Sequence, residues 1–174
     1  MLGLAATTGC RHSAPVPRAE PTPSVRTASP APTVTIVRSG RVVRAGTTVP
    51  FHAQAGVTLK IRATKPTLST HRLSSSYGYA PAHGYYVSFV VTIANTGRSP
   101  VSIAPTDFFV QVSRQGKVTT LMGNSPYSGA SAQLDNTQIE PGESVTGPLT
   151  FDVRGVHGSL AYAPDGSAAI TWTY

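Results

Sequence analysis

From residue 57 onward, apolar and polar side chains alternate with a period of two. In VTLKIRA, Val57, Leu59 and Ile61 fall on one face and Thr58, Lys60 and Arg62 on the other. YYVSFVVTIAN sets Tyr85, Val87, Phe89, Val91 and Ile93 against Tyr86, Ser88, Val90, Thr92 and Ala94. Phe108, Val110 and Val112 share a side in DFFVQVS, as do Val145, Leu149, Phe151 and Val153 in SVTGPLTFDVRG. GSLAYA pairs Leu160 with Tyr162, and SAAITWTY sets Ala168, Ile170, Trp172 and Tyr174 against Thr171 and Thr173. Extended chain has this period because successive side chains point to opposite faces of the pleat. No eleven-residue window carries a helical stripe. Strands with one apolar face need a second apolar face to cover them. The pattern therefore predicts an all-β, immunoglobulin-like antiparallel sandwich over residues 57–174.

Turn chemistry punctuates these strands at Asn95-Thr96-Gly97, Arg114-Gln115-Gly116-Lys117, Pro141-Gly142-Glu143 and Pro164-Asp165-Gly166. Glycine at such turns permits positive φ. Residues 34–56 read less cleanly. TVTIVRSGRVVRAG predicts a hairpin at Ser39-Gly40, as edge strands or a linker, but the adjacent Val42 and Val43 break the alternation. Residues 11–33 contain Pro, Ala, Ser, Thr and Arg with almost no large apolar side chain. Such a stretch buries too little surface to offset chain entropy, which predicts a disordered tether. Its 23 residues would reach about 70 Å when fully extended in polyproline II.

The net charge of +7 is unevenly spread: +2 over residues 1–33, +3 over 34–56, and only +2 over the remaining 118 residues. A nearly balanced domain with a basic stem favours weak attraction to anionic surfaces and argues against a nucleic-acid partner. No stretch approaches the ~20 apolar residues that a membrane span requires. The only cysteine, Cys10, excludes an internal disulfide. It lies in residues 1–10, MLGLAATTGC, which read as the end of a signal segment without its basic region. Thr7-Thr8-Gly9-Cys10 resembles a bacterial lipobox, fitting at Gly9 and Cys10, acceptable at Thr8 and departing at Thr7, where leucine is usual. That resemblance implies acylation of Cys10 and a lipid-anchored protein on the outer face of the cell membrane, or a secreted one.

Three further stretches carry a second resemblance: VSFVVTIANTGRSPVSIAPTDFFVQVSRQGK, IEPGESVTGPLTFDV, and LAYAP followed by ITW. Together they resemble the immunoglobulin-like domain of uncharacterised Gram-positive cell-envelope lipoproteins, related to a secreted mycobacterial immunoprotective antigen. The shared features are the Asn95–Gly97 turn, the Asp107–Val112 strand, the Pro141–Glu143 turn and the Gly147–Val153 strand. The match spans Val57 to Tyr174. It implies an exported, often lipid-anchored domain and carries over no catalytic or binding residue.

The residues offer little catalytic chemistry. The histidines, His12, His52, His71, His83 and His157, lack metal-ligand spacing, so no metal or other cofactor is expected. The sequence has no Gly-x-Ser-x-Gly elbow and no phosphate-cradling glycine loop, and Glu140, Glu143, Asp107 and Asp152 show no paired-carboxylate pattern. An enzyme is not expected. The richest segment is residues 63–84, read as a long loop holding Tyr77, Tyr79 and His83 among serines and glycines. A second loop, GNSPYSGASAQ, carries Tyr127. Tyrosine among Ser, Gly and Asn offers large contact area at low entropic cost. Tyr77, Tyr79, His83 and Tyr127 are therefore the candidate binding residues, for an envelope protein or a cell-wall component. The expected function is a non-enzymatic extracytoplasmic lipoprotein displaying this module. A second reading is a small-molecule carrier or enzyme accessory with an apolar cavity in the sandwich.

Overall fold

The two longest alternating segments pair with each other and set the frame of the molecule. The computed structural model describes residues 40–53, 56–114 and 117–174. In chain order its strands are β1 (Arg41–Arg44), β2 (Thr48–His52), β3 (Thr58–Ala63), β4 (Thr67–Ser69), β5 (Tyr85–Asn95) and β6 (Val101–Ile103). A single 3-10 turn, Pro105–Asp107, leads into β7 (Phe108–Arg114) and β8 (Lys117–Met122). The chain ends with β9 (Thr137–Ile139), β10 (Ser144–Val153), β11 (Gly158–Tyr162) and β12 (Ile170–Thr173). One sheet runs β10-β5-β3-β2, with β4 also on β5; the other runs β1-β12-β11-β7-β8; β6 and β9 form a separate pair. This is an immunoglobulin-like β-sandwich.

The core is built from the residues that alternation placed inward. Leu59, Ile61, Phe89, Ile93, Leu149 and Phe151 of one sheet are buried, as are Phe108, Val110, Leu160, Ile170 and Trp172 of the other. No disulfide links the two layers within these residues, so side-chain packing clasps them. Phe51 meets Tyr162 edge-on at 5.3 Å, and Phe89 meets Tyr174 at 5.1 Å. Both pairs join one sheet to the other, and such contacts add to the area they bury. Burial pushes the Tyr174 hydroxyl up to about 12, because its charged form would lie in an apolar surround.

Residues 40–53 depart from the simple hairpin pattern. The first arm of a hairpin at Ser39-Gly40 lies outside the described residues. Its second arm, β1, runs parallel to β12, with Val43 opposite Trp172. β2 instead pairs antiparallel with β3. The link between β1 and β2 therefore crosses from one sheet to the other. Trp172 fixes that crossing: its indole N–H donates to the Thr47 carbonyl at 2.9 Å.

Residues 63–84 are not a structureless loop, because β4 forms within them and pairs with β5. Ala63 stands opposite Val91 and Thr67 opposite Ser88, so three residues, 64–66, face two, 89 and 90. This is a β-bulge, and Pro66 is tolerated there because it has no ladder N–H to lose. Thr64 keeps the ladder satisfied around it. Its N–H donates to the Val90 carbonyl, and its hydroxyl accepts the Val90 N–H, each at 3.0 Å.

The Asn95–Gly97 turn is held by one side chain. Asn95 is buried, and its Nδ2 donates to the carbonyls of Ser99 at 2.9 Å and Ile139 at 3.0 Å. Its Oδ1 accepts the Gly97 N–H at 3.0 Å. Glycine stands at 97 for space rather than for positive φ. A Cβ there would come within 2.5 Å of the Gly56 carbonyl oxygen. Gly142 and Gly166, at φ +87° and +84°, do use the left-handed region expected at their turns.

Candidate functional site

β10 is the outermost strand of its sheet, and an irregular segment covers its free edge. Leu134 N–H donates to the Pro148 carbonyl at 2.9 Å, and Ser125 N–H to the Thr150 carbonyl at 2.6 Å. The Asn124 side chain bridges the two, accepting from Thr150 N–H and donating to the Leu134 carbonyl, each at 2.9 Å. Residues 123–134 are thereby laid along the sheet, and an exposed edge that invites aggregation is closed.

The loop of residues 70–84 docks onto this segment. Leu73 N–H donates to the Ser128 carbonyl and Tyr79 N–H to the Tyr127 carbonyl, each at 2.8 Å. Close backbone approach requires glycine on both sides. A Cβ on Gly78 would meet Gly129 N at 2.7 Å, and one on Gly129 would meet the Tyr77 carbonyl oxygen at 2.5 Å. Ser128 is buried beneath this seam, accepting from Ala130 N–H at 3.2 Å and Gln133 Nε2 at 3.1 Å.

The outer face of β5 and β10 carries polar residues that hold the loops from below. Tyr86 donates its hydroxyl to the Tyr79 carbonyl at 3.0 Å. Burial raises the pKa of that phenol, the nearby Asp152 charge adds to the rise, and a hydrogen bond with Ser125 opposes it. Asp152 accepts Ala82 N–H at 2.7 Å and His83 N–H at 2.9 Å. Both its oxygens are thus engaged by the loop backbone, and the His83 ring lies 3.6 Å away.

The structure brings Tyr79 and Tyr127 together, with ring centroids 6.2 Å apart in an edge-on arrangement. Both stay open to solvent, 71% and 66% exposed, and Tyr77 beside the Gly129 seam is 55% exposed. His83 sits on the same loop but is turned to Asp152. Leu73, also exposed, joins this face through its bond to Ser128. Cys10 lies outside the described residues. Among the described residues, no group of three or more His, Cys, Asp or Glu is placed to hold a metal ion. The assembled face presents exposed aromatic rings with polar tips on a hydrogen-bonded base.

Sequence reasoning missed Asp152 and Tyr86, which hold the loops, and Leu73, which extends the face. The alternation marked Asp152 as outward but contains no signal for a partner seventy residues away.

Residues 54–168 match a family model, and the chain belongs to that family, described as a domain of unknown function (DUF4352). Among solved structures, it is similar to the secreted protein MPT63 from Mycobacterium tuberculosis at a TM-score of 0.61 and 16% identity, covering 79% of this chain and 100% of that one. It is also similar to the yjhA protein from Bacillus subtilis, with a TM-score of 0.49, 15% identity, and 72% and 83% of the two chains covered. A β-sandwich protein from Clostridium difficile 630 matches at a TM-score of 0.37 and 14% identity, with 80% and 97% covered. The first of these shares the fold. No protein of curated function matches the sequence.

Proposed function

We propose that the chain is an extracytoplasmic lipoprotein whose sandwich is a non-enzymatic binding module at the cell envelope. Cys10 is its point of acylation, and residues 11–33 are the stalk that lifts the domain from the membrane. Tyr77, Tyr79 and Tyr127, flanked by His83, form the contact face for an envelope protein or a cell-wall component.

One observation carries this reading. Two loops distant in sequence are bonded to each other, yet they leave the Tyr79 and Tyr127 rings in the open. Ordering exposed aromatic side chains on a rigid base lowers the entropy cost of binding. The lipobox-like Thr8-Gly9-Cys10 and the Pro-rich run after it support the anchored location.

Cross-linking in intact cells tests the reading. Full-length protein should capture a defined envelope partner. Alanine at Tyr77, Tyr79 and Tyr127 together should abolish that capture while leaving thermal unfolding nearly unchanged, since all three rings are exposed. Equal capture by the triple variant would overturn the assigned face. In the same cells, a fatty-acid label should enter the wild type and be absent from Cys10→Ser.

A further inference from the structure

We propose that Tyr79 and Tyr127 are an oxidative cross-linking site. A one-electron oxidant, such as a haem peroxidase supplied with hydrogen peroxide, joins their rings and staples the two loops covalently. The coupling does not depend on what the tyrosine face binds. With one cysteine the chain forms no disulfide within itself, so an oxidative staple between its loops must use other side chains.

The chain has seven tyrosines. Tyr86 and Tyr162 are buried, as is the Tyr174 hydroxyl, and Tyr85 packs against the core. Tyr77, Tyr79 and Tyr127 are exposed. Among the described residues, only Tyr79 and Tyr127 form a tyrosine–tyrosine ring pair, with centroids 6.2 Å apart. Each of the other ring pairs includes a phenylalanine, which has no phenol to oxidise. The two backbones are fixed side by side while the rings are open. Tyr79 N–H donates to the Tyr127 carbonyl at 2.8 Å, and the Tyr79 carbonyl accepts the Tyr86 hydroxyl at 3.0 Å. At 71% and 66% exposure, both rings lie in reach of an oxidant and are free to change rotamer. They already meet edge-on, so rotamer motion supplies the remaining approach.

Each phenol gives one electron to the oxidant and its hydroxyl proton to solvent. The resulting phenoxyl radicals carry spin on the carbons ortho to oxygen. Two such carbons, one from each ring, form a carbon–carbon bond. The hydrogen on each bonded carbon then passes through solvent to the oxygen of its own ring, which restores both aromatic rings and both hydroxyls. The product has lost two hydrogen atoms, and the peroxide has taken up their electrons and protons to become water. Coupling within one chain outruns coupling between chains, because residues held together meet at an effective concentration on the order of mM or more. The new bond closes a loop of about 50 residues and so restricts the unfolded chain as a disulfide of that span does.

The full chain, dilute and with its thiol reduced, is treated with a haem peroxidase and hydrogen peroxide. Dityrosine fluorescence should rise in a monomer lighter by two hydrogen atoms, and peptide mapping should place the bond between Tyr79 and Tyr127. Tyr79→Phe and Tyr127→Phe should each abolish that monomeric product, while Tyr77→Phe should keep it. All three rings are exposed, so these variants should keep the wild-type melting curve before oxidation. The coupled monomer should melt about 5 °C or more above the untreated protein. Four results would each overturn the proposal. The first is no coupling while free tyrosine in the same solution couples, and the second is a monomeric product that survives both variants. The others are a bond mapped to Tyr77 or mainly between chains, and a coupled monomer that melts no higher than the untreated protein.

Discussion

Trp172→Ala is expected to lower the unfolding free energy by about 4 kcal/mol. Trp172 is 0% exposed and lies between Val43 of β1 and Leu160 of β11. Its removal opens a cavity in the core, which the surrounding side chains fill only in part. It also takes away the N–H that holds the Thr47 carbonyl in the sheet-to-sheet crossing. For a domain with ~5–15 kcal/mol in total, such a loss is a large share. Trp172→Phe keeps most of the packing and loses the hydrogen bond, so it should cost only about 1–2 kcal/mol plus a small volume deficit. Urea unfolding followed by circular dichroism measures both, since Trp172 is the chain's only tryptophan and fluorescence disappears with it. A cost below ~1 kcal/mol for the alanine variant would contradict the described core.

Asn95→Ala should cost about 3 kcal/mol, although it deletes few atoms. Three side-chain hydrogen bonds vanish, and the Ile139 carbonyl and Gly97 N–H lose this partner in a site where Asn95 is 1% exposed. Asn95→Asp separates geometry from chemistry. Its carboxylate still accepts from Gly97, but it turns a negative oxygen toward the Ser99 and Ile139 carbonyls. Burial and those dipoles raise the aspartate's folded-state pKa above its unfolded value of ~4. The protonated form is then favoured in the fold, so stability is retained below about pH 4 and lost as pH rises through the raised value. Asn95→Asp should therefore fall further behind the wild type at pH 7 than at pH 4. Denaturant midpoints at the two pH values give the answer, and an equal gap would refute this account of the turn.

The parts of this molecule that were legible in its sequence are those governed by local pattern. Alternate residues of β5 and β10 face the core, and alternation reports them; Tyr86 and Thr150 on the opposite face are buried as well, beneath the covering loops, which alternation does not report. β4 was hidden, since the bulge at 64–66 shifts the period by one and Pro66 reads as a breaker. β6 and β9 span three residues each, too short for alternation to register. The parallel pairing of β1 with β12 was also invisible, because strand direction leaves no trace in local periodicity. At the candidate site, composition singled out Tyr77, Tyr79 and Tyr127, but their meeting depends on Gly78 opposing Gly129, a contact between loops fifty residues apart. Asp152 looked like an ordinary outward carboxylate because its role lies in which backbone amides reach it.

The parallel seam between β1 and β12 has a mechanical consequence for any module held on a stem. Tension entering through residues preceding Arg41 and directed along the strand axis loads β1 in shear. The backbone bonds between Arg41–Arg44 and Ile170–Thr173 then resist together rather than rupturing one after another. A chain tugged from its N-terminal side would yield late, with the rest of the sandwich protected behind that clamp.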